Sequence, residues 1–298
     1  MLRVKRGIGA RIRPRITETR EVSQMSHVAS PGTGGLSSFD PSVPQPARIY
    51  NVWLNGTDHF GPDREVAARV ISRRPQVVDA AVANRQFLGR AVRHIARCYG
   101  VHQFIDIGSG LPAAENTHQV AQVVDSWSRV MYVDNDPLIL SHTKPLLDST
   151  IEGNCDYLHA DLRNTEYVLK EARRTLDFNL PVGVLLLAVL HFIRDGDDPA
   201  GLVAALIEPL IAGSFVVISH LTGDFAPETV GEGVAAYNAL VPTPVVARSH
   251  AQVTDLFGDL ALVPPGVVPV NEWRSETVTK GVIDIYGGVA RKAPRRWW

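Results

Sequence analysis

The chain has 298 residues, 45% of them apolar and 20% charged, with a formal net charge of −1. This suits one large globular domain or two modest ones and excludes a whole-molecule polyanion binder. Cys98 and Cys155 are too few for a disulfide framework or a cysteine zinc site, and such sparse cysteine fits a reducing cytoplasm.

Charge is unevenly spread. Residues 1–24 carry a net +5 and residues 291–298 a net +4, which leaves −10 for the body. An acidic body with basic ends argues against a nucleic-acid groove. Residues 1–39 are basic, then rich in Ser, Gly and Pro, and are predicted to be a disordered tail. No apolar stretch follows the basic start, so it is not a secretory signal, and Met25 stands as a second candidate start.

Residues 40–100 read as a helical cap. Ile49, Tyr50, Trp53 and Leu54 share a face, and Asn55-Gly56 ends that helix. A second helix starts at Pro62. A third runs from Gln76 to Arg97, with Val78, Val82, Phe87, Leu88, Val92 and Ile95 at helical spacing.

From Val101 the period changes. Apolar strands are predicted at 102–107, 129–134, 155–160, 182–190 and 214–220, with helices between them. The longest apolar run, Leu180 to Ile193, is too short for a membrane span and suits a central strand. Asp106, Asp134 and Asp161 stand at successive strand ends, 28 and 27 residues apart, close to the length of a βαβ unit. The pattern predicts a mostly parallel α/β sheet with helices on both faces over residues 101–292. Extended stretches at 260–263, 266–270 and 282–290 predict an antiparallel pair at the sheet edge, and 293–298 a basic tail.

The segment from Phe104 to Pro112 reads as a strand, a glycine turn and a helix start, and Asp134 ends the next strand. This is how an α/β sheet holds a nucleoside-bearing cofactor. Gly108-x-Gly110-x-x-Ala113 also fits a dinucleotide fingerprint, so an NAD(P)-dependent oxidoreductase is one reading. Four details favour S-adenosylmethionine, one of them Asp161 in His159-Ala160-Asp161-Leu162, where an adenine amino group could be received. Asp106 is badly placed for a pyrophosphate but suits a cationic amino group. Pro112 removes an N–H from the expected helix start. No Lys or Arg lies in 101–128 to meet phosphates.

Candidate cofactor-binding residues are therefore Asp106, Gly108, Ser109, Gly110, Asn135, Leu162 and two acids. Asp134 would accept ribose hydroxyls or else cap the following helix, with Asp136 the better cap. Asp161 would receive an adenine amino group or serve as a cap. Asn116 past the glycine loop, Arg85 as a carboxylate partner and Tyr50 in the cap complete the set. His191 and His220, at the ends of the fourth and fifth strands, are candidates for a base or an acceptor-orienting group, or are satisfied histidines at strand junctions. Asp195, Asp197 and Asp198 read as a solvated helix start, and no metal is expected.

The order of motifs resembles the actinobacterial S-adenosylmethionine-dependent methyltransferases first catalogued as a domain of unknown function. The resemblance covers about Pro46 to Lys292. It is carried by Ala47-Arg48-Ile49-Tyr50, Leu54-Asn55-Gly56-x-Asp58-x-Phe60, Ala83-Asn84-Arg85 and Gln103 to Pro112. It continues through Tyr132 to Pro137, His159 to Arg163, Ala188 to Phe192 and Tyr286 to Lys292. It departs at Asn55-Gly56, where the family often shows two glycines. The resemblance implies a Rossmann-like class I methyltransferase sheet of seven strands, the last antiparallel, plus an N-terminal helical extension. The expected activity is in-line methyl transfer from S-adenosyl-L-methionine to a small or medium-sized acceptor, with neither nucleic acid nor membrane as partner. A cofactor-binding regulatory protein without turnover is the other alternative.

Overall fold

The computed structural model describes residues 40–113, 115–139, 149–276, 281 and 283–294. The tail expected at 1–39 and residues 295–298 lie outside them. Three helices come first: α1 (Pro46–Trp53), α2 (Gly61–Arg73) and α3 (Val77–Tyr99). The α/β alternation follows as β1 (Gln103–Ile107), α4 (Thr117–Val124), β2 (Arg129–Asp134), β3 (Asn154–His159), α5 (Thr165–Ala172) and β4 (Gly183–Leu187). It continues with α6 (Pro199–Ile207), β5 (Phe215–Leu221), α7 (Pro227–Asn238) and α8 (His250–Asp255). The strands β6 (Ala261–Leu262), β7 (Val268–Pro269) and β8 (Ile285–Arg291) close the chain.

The sheet runs β3-β2-β1-β4-β5-β8-β6, with β7 also paired to β8. β1 to β5 are parallel, and β8 is antiparallel to β5, from Phe215 opposite Arg291 to Leu221 opposite Ile285. The seven expected strands become eight because β6 and β7 are two-residue pieces, each laid against β8 rather than forming one strand. β8 is thus inserted beside β5, and its antiparallel pairing with β6 forms the expected pair at the sheet edge.

Side-chain alternation builds two cores. Ile105, Ile107, Val184, Leu186, Val216 and Ile218 face α5, α6 and α8. Phe104, Leu185, Leu187, Phe215 and Val217 face α3 and α4, where Phe87 meets Trp273 edge-on at 5.5 Å. α3 is therefore a layer of the sheet itself. α1, α2 and α7 make a third cluster around Ile49, Val66, Val70 and Tyr237, above the C-terminal strand ends.

Asp63 joins the first two helices. Its carboxylate accepts the Phe60 N–H at the start of α2 and the Gln45 N–H before α1, at 2.8 and 3.0 Å. Arg48 lies beside it and donates to Asp136 Oδ2 at 3.1 Å, so α1 is fastened to the end of β2. After α1, Asn55 adopts φ +57, a left-handed conformation that asparagine tolerates better than most residues. That is the backbone demand at the point where the resemblance departs from two glycines. Among the described residues no helix is long and apolar enough to cross a membrane.

Candidate functional site

A cavity of about 250 Å³ opens between the C-terminal ends of β1 to β5 and the helices α1, α2 and α7. Tyr50, Arg85, Asp106, Gly108, Ser109, Gly110, Asp134, Asn135, Asp161, Leu162 and His191 all line it. Asn116 and His220 do not.

The glycine loop is held by the next strand. Gly108 and Ser109 donate backbone N–H groups to Val133 O, and Gly110 N–H donates to Asp134 Oδ2 at 2.9 Å. Gly108 (φ +69) and Gly110 (φ +67) are left-handed. A Cβ on Gly108 would sit 2.5 Å from Val189 Cγ2, whereas nothing lies within 4 Å of one on Gly110. Gly108→Ala is therefore expected to lower stability by about 1–3 kcal/mol in thermal unfolding, and Gly110→Ala by about 1 kcal/mol, from backbone strain alone.

The helix after this loop starts later than its sequence suggests. α4 begins at Thr117, so Pro112 precedes it in irregular chain and removes no N–H from its start. Asn116 is the N-cap. Its Oδ1 accepts the Ala113 N–H, and its own N–H donates to Gln119 Oε1. Thr117 Oγ1 donates to Asp106 Oδ2 at 2.6 Å. Burial raises the Asp106 pKa, against that hydrogen bond and the charge of Arg85. Arg85 Nη2 donates to Glu115 O at 3.2 Å, while Tyr50 OH donates to Ala81 O and accepts from Asn84 Nδ2.

Asp134 is buried at the end of β2. Oδ2 holds Gly110 and Oδ1 accepts the Asp136 N–H at 3.0 Å. Desolvation raises its pKa to about 6, although these hydrogen bonds pull the other way. Each oxygen keeps a lone pair for a further donor. Asp136 caps the chain beyond it through the Leu138 N–H. β3 ends at His159, so Asp161 lies two residues past it, half-buried, and bonds Arg163 with both oxygens.

The wall opposite is a strained turn. β4 ends at Leu187, Ala188 takes φ +53, and Leu190–Phe192 form one 3-10 turn that carries His191. His191 therefore stands four residues beyond the strand, not at its end. A left-handed alanine costs about 1–2 kcal/mol and persists only where neighbours over-determine it. Here Ser219 Oγ accepts the Ala188 N–H at 2.9 Å, and the Val246 N–H donates to His191 O at 2.8 Å.

Arg248, which the sequence did not single out, grips this turn from below. Nη1 donates to Leu190 O at 3.1 Å, and Nη2 to Ile193 O at 2.8 Å and to Asp195 Oδ1 at 2.6 Å. Nη1 also meets His220 Nε2 at 2.7 Å, so that nitrogen accepts and Nδ1 carries the proton donated to Leu221 O. His220 is fully buried under the wall with both nitrogens engaged, and burial lowers its pKa to about 4. The structure thus places it as a support for the turn.

His191 differs. Among the described residues its ring makes no hydrogen bond, and Nδ1 is buried. Burial, then the neighbouring His220 and Arg248, lower its pKa well below the ordinary value, so the ring is neutral at pH 7. Trp53 Nε1 and Tyr237 OH, on residues of the same cavity, are also buried without partners. Each such group costs about 1–3 kcal/mol, which structural sites rarely tolerate.

Comparisons with known proteins bear on the fold and the family. A family model described as S-adenosyl methyltransferase matches residues 33–293. The chain is similar to a DUF574 family protein from Streptomyces avermitilis, with 39% identity over 85% of this chain and 99% of that one, at a TM-score of 0.82. It is also similar to a protein from Thermobifida fusca provisionally assigned as a methyltransferase, with 33% identity over 85% and 96% of the two chains, at a TM-score of 0.79. No curated protein matches.

Proposed function

The chain belongs to the S-adenosyl methyltransferase family and is a methyltransferase enzyme, and on that premise we propose how its cavity is used. The strand ends hold S-adenosyl-L-methionine, and a small or medium-sized acceptor binds under α1, α2 and α7. The observation that carries this is Asp134, a buried carboxylate on the cavity wall that already orders the glycine loop and has lone pairs to spare.

The residues present fit such a cofactor. Asp134 would accept the ribose hydroxyls. Asp106, beneath the loop, suits a cationic amino group. The open space over Gly110 lets backbone and ligand approach. Asp161 can receive an adenine amino group only by sharing an oxygen with Arg163, and Leu162 offers apolar wall beside it. Arg85 and Tyr50, both on helices above the loop, would close the cofactor's carboxylate end. The wall is rich in carboxylates, the wrong charge for a pyrophosphate.

The bound cofactor supplies an activated methyl group for in-line displacement. The chain's task is to align the acceptor and exclude water. His191, neutral and without a partner, is placed to take a proton from the acceptor or to orient it.

The test is a titration with S-adenosylhomocysteine across pH, with NAD as the control. Free Asp134 titrates near pH 6, and its carboxylate form is the one that binds. As pH falls through 6 the free protein takes up a proton that binding must expel, so affinity weakens, by about ten-fold from pH 7 to pH 5. Stability of the free protein moves oppositely. A folded pKa above the unfolded value makes the native state hold the proton more tightly, so this contribution is lost as pH rises through 6. Flat affinity over this range, or preference for NAD, would overturn the assignment.

A further inference from the structure

The cavity divides by charge. Its sheet end carries Asp106, Asp134, Asp136 and Asp161, and Arg85 and Arg163 belong with them. The other half is built by Trp53 of α1 and Leu54 just after it, Val70 of α2, and Val230, Val234 and Tyr237 of α7. Among the described lining residues of that half the charged one is Arg74. Its Nε and Nη2 both donate to Asp284 Oδ2, at 3.2 and 3.0 Å, and the pair is buried. A carboxylate or phosphate entering there would find no free cation, and an ammonium no free carboxylate. Burying an unpaired charge is strongly unfavourable.

The remaining polar capacity is neutral, that of groups on aromatic rings with Asn51 and Thr243 beside them. His191 and Phe192 pack with centroids 4.4 Å apart, Phe192 and Tyr237 at 6.4 Å, and Tyr50 meets Trp53 edge-on at 6.1 Å. Rings arranged around an apolar space offer both π-faces and edges to a flat guest.

We propose that the acceptor is an uncharged, flat, mainly apolar molecule with a hydroxyl-type group that meets His191. This rests on the assignment of the sheet end to the cofactor and names the substrate class of the other half. His191 suits this role because its ring is neutral at pH 7 and hydrogen-bonds without demanding a counter-charge. Val234 lies on α7 against the third apolar cluster, half-buried, and so reports on the space itself.

Three probes that share one ring system decide the matter: 2-naphthol, 2-naphthoate and 2-naphthylmethylamine, each titrated calorimetrically with and without saturating S-adenosylhomocysteine. The neutral probe is expected to bind at least about ten-fold tighter than either charged one. Val234→Glu is expected to weaken 2-naphthol by about ten-fold and leave S-adenosylhomocysteine affinity unchanged, which also reports that the variant is folded. Equal or tighter binding of a charged probe, or no binding of 2-naphthol up to its solubility limit, overturns the proposal. If Val234→Glu does not fold, the comparison of the three probes on the unaltered chain still decides. Failure to bind S-adenosylhomocysteine sinks the cofactor reading separately, because the probes are also compared in its absence.

Discussion

Asp134→Ala is expected to weaken S-adenosylhomocysteine binding by about 100-fold, measured by calorimetry at pH 7.5. The carboxylate would accept two ribose hydroxyls, and hydrogen bonds to a charged group contribute about 1.5–3 kcal/mol each. Its removal also releases the Gly110 and Asp136 N–H groups, which both depend on it, so the loop loses its anchor on β2. Asp134→Asn keeps one of the two N–H anchors, because its Nδ2 cannot accept from the other. It keeps one acceptor oxygen and the side-chain volume but carries no charge, so a loss nearer ten-fold is expected. The asparagine variant should also lose the weakening between pH 7 and pH 5, because the group that titrates near pH 6 is gone. An alanine variant that binds within about two-fold of the parent chain would show that the ribose lies elsewhere.

The sheet and its acidic strand ends were legible because their signals are local. A buried parallel strand is a short apolar run, and β1, β2, β4 and β5 fall within about two residues of the runs at 102–107, 129–134, 182–190 and 214–220 wherever the chain stays extended. At the end of the fourth run it does not. Apolar composition continues through Val189 and Leu190, but the left-handed turn at Ala188 ends the strand early, and composition carries no trace of that. The late start of α4 had a signal that went unused: Asn116 and Gln119 form a capping box, which places the helix after residue 116 rather than at Pro112. His191 and His220 looked equivalent because both follow apolar strands. Their difference depends on Arg248, which approaches from 55 to 58 residues away in sequence and bonds backbone carbonyls that any residue would present. Arg48 is similar. Its buried pairing with Asp136 joins residues 88 apart, and nothing in a helix of mixed polarity announces it.

Arg248→Met is expected to lower stability by about 3–5 kcal/mol, the scale for removing one partner from a buried charged network. For a chain of this size that is a drop of about 10 °C in the thermal midpoint. Methionine keeps most of the stem's volume, so the loss isolates the guanidinium. Leu190 O, Ile193 O and His220 Nε2 would all be left without the donor they now share. Lysine should not rescue it, because an ammonium group cannot fork to carbonyls on both sides of the 3-10 turn. Asp195 is the control. It pairs with the same arginine at 2.6 Å but is largely exposed, so Asp195→Ala should cost at most about 1 kcal/mol. The positive charge of Arg248 also lowers the pKa of both His191 and His220. In the methionine variant, histidine signals followed by NMR below the unfolding temperature should move both upward, His220 from about 4 toward the ordinary value. If the midpoint falls by less than about 2 °C and neither titration moves, the turn is held by its own backbone. Arg248 would then not be the residue that sets His191 on the wall of the cavity.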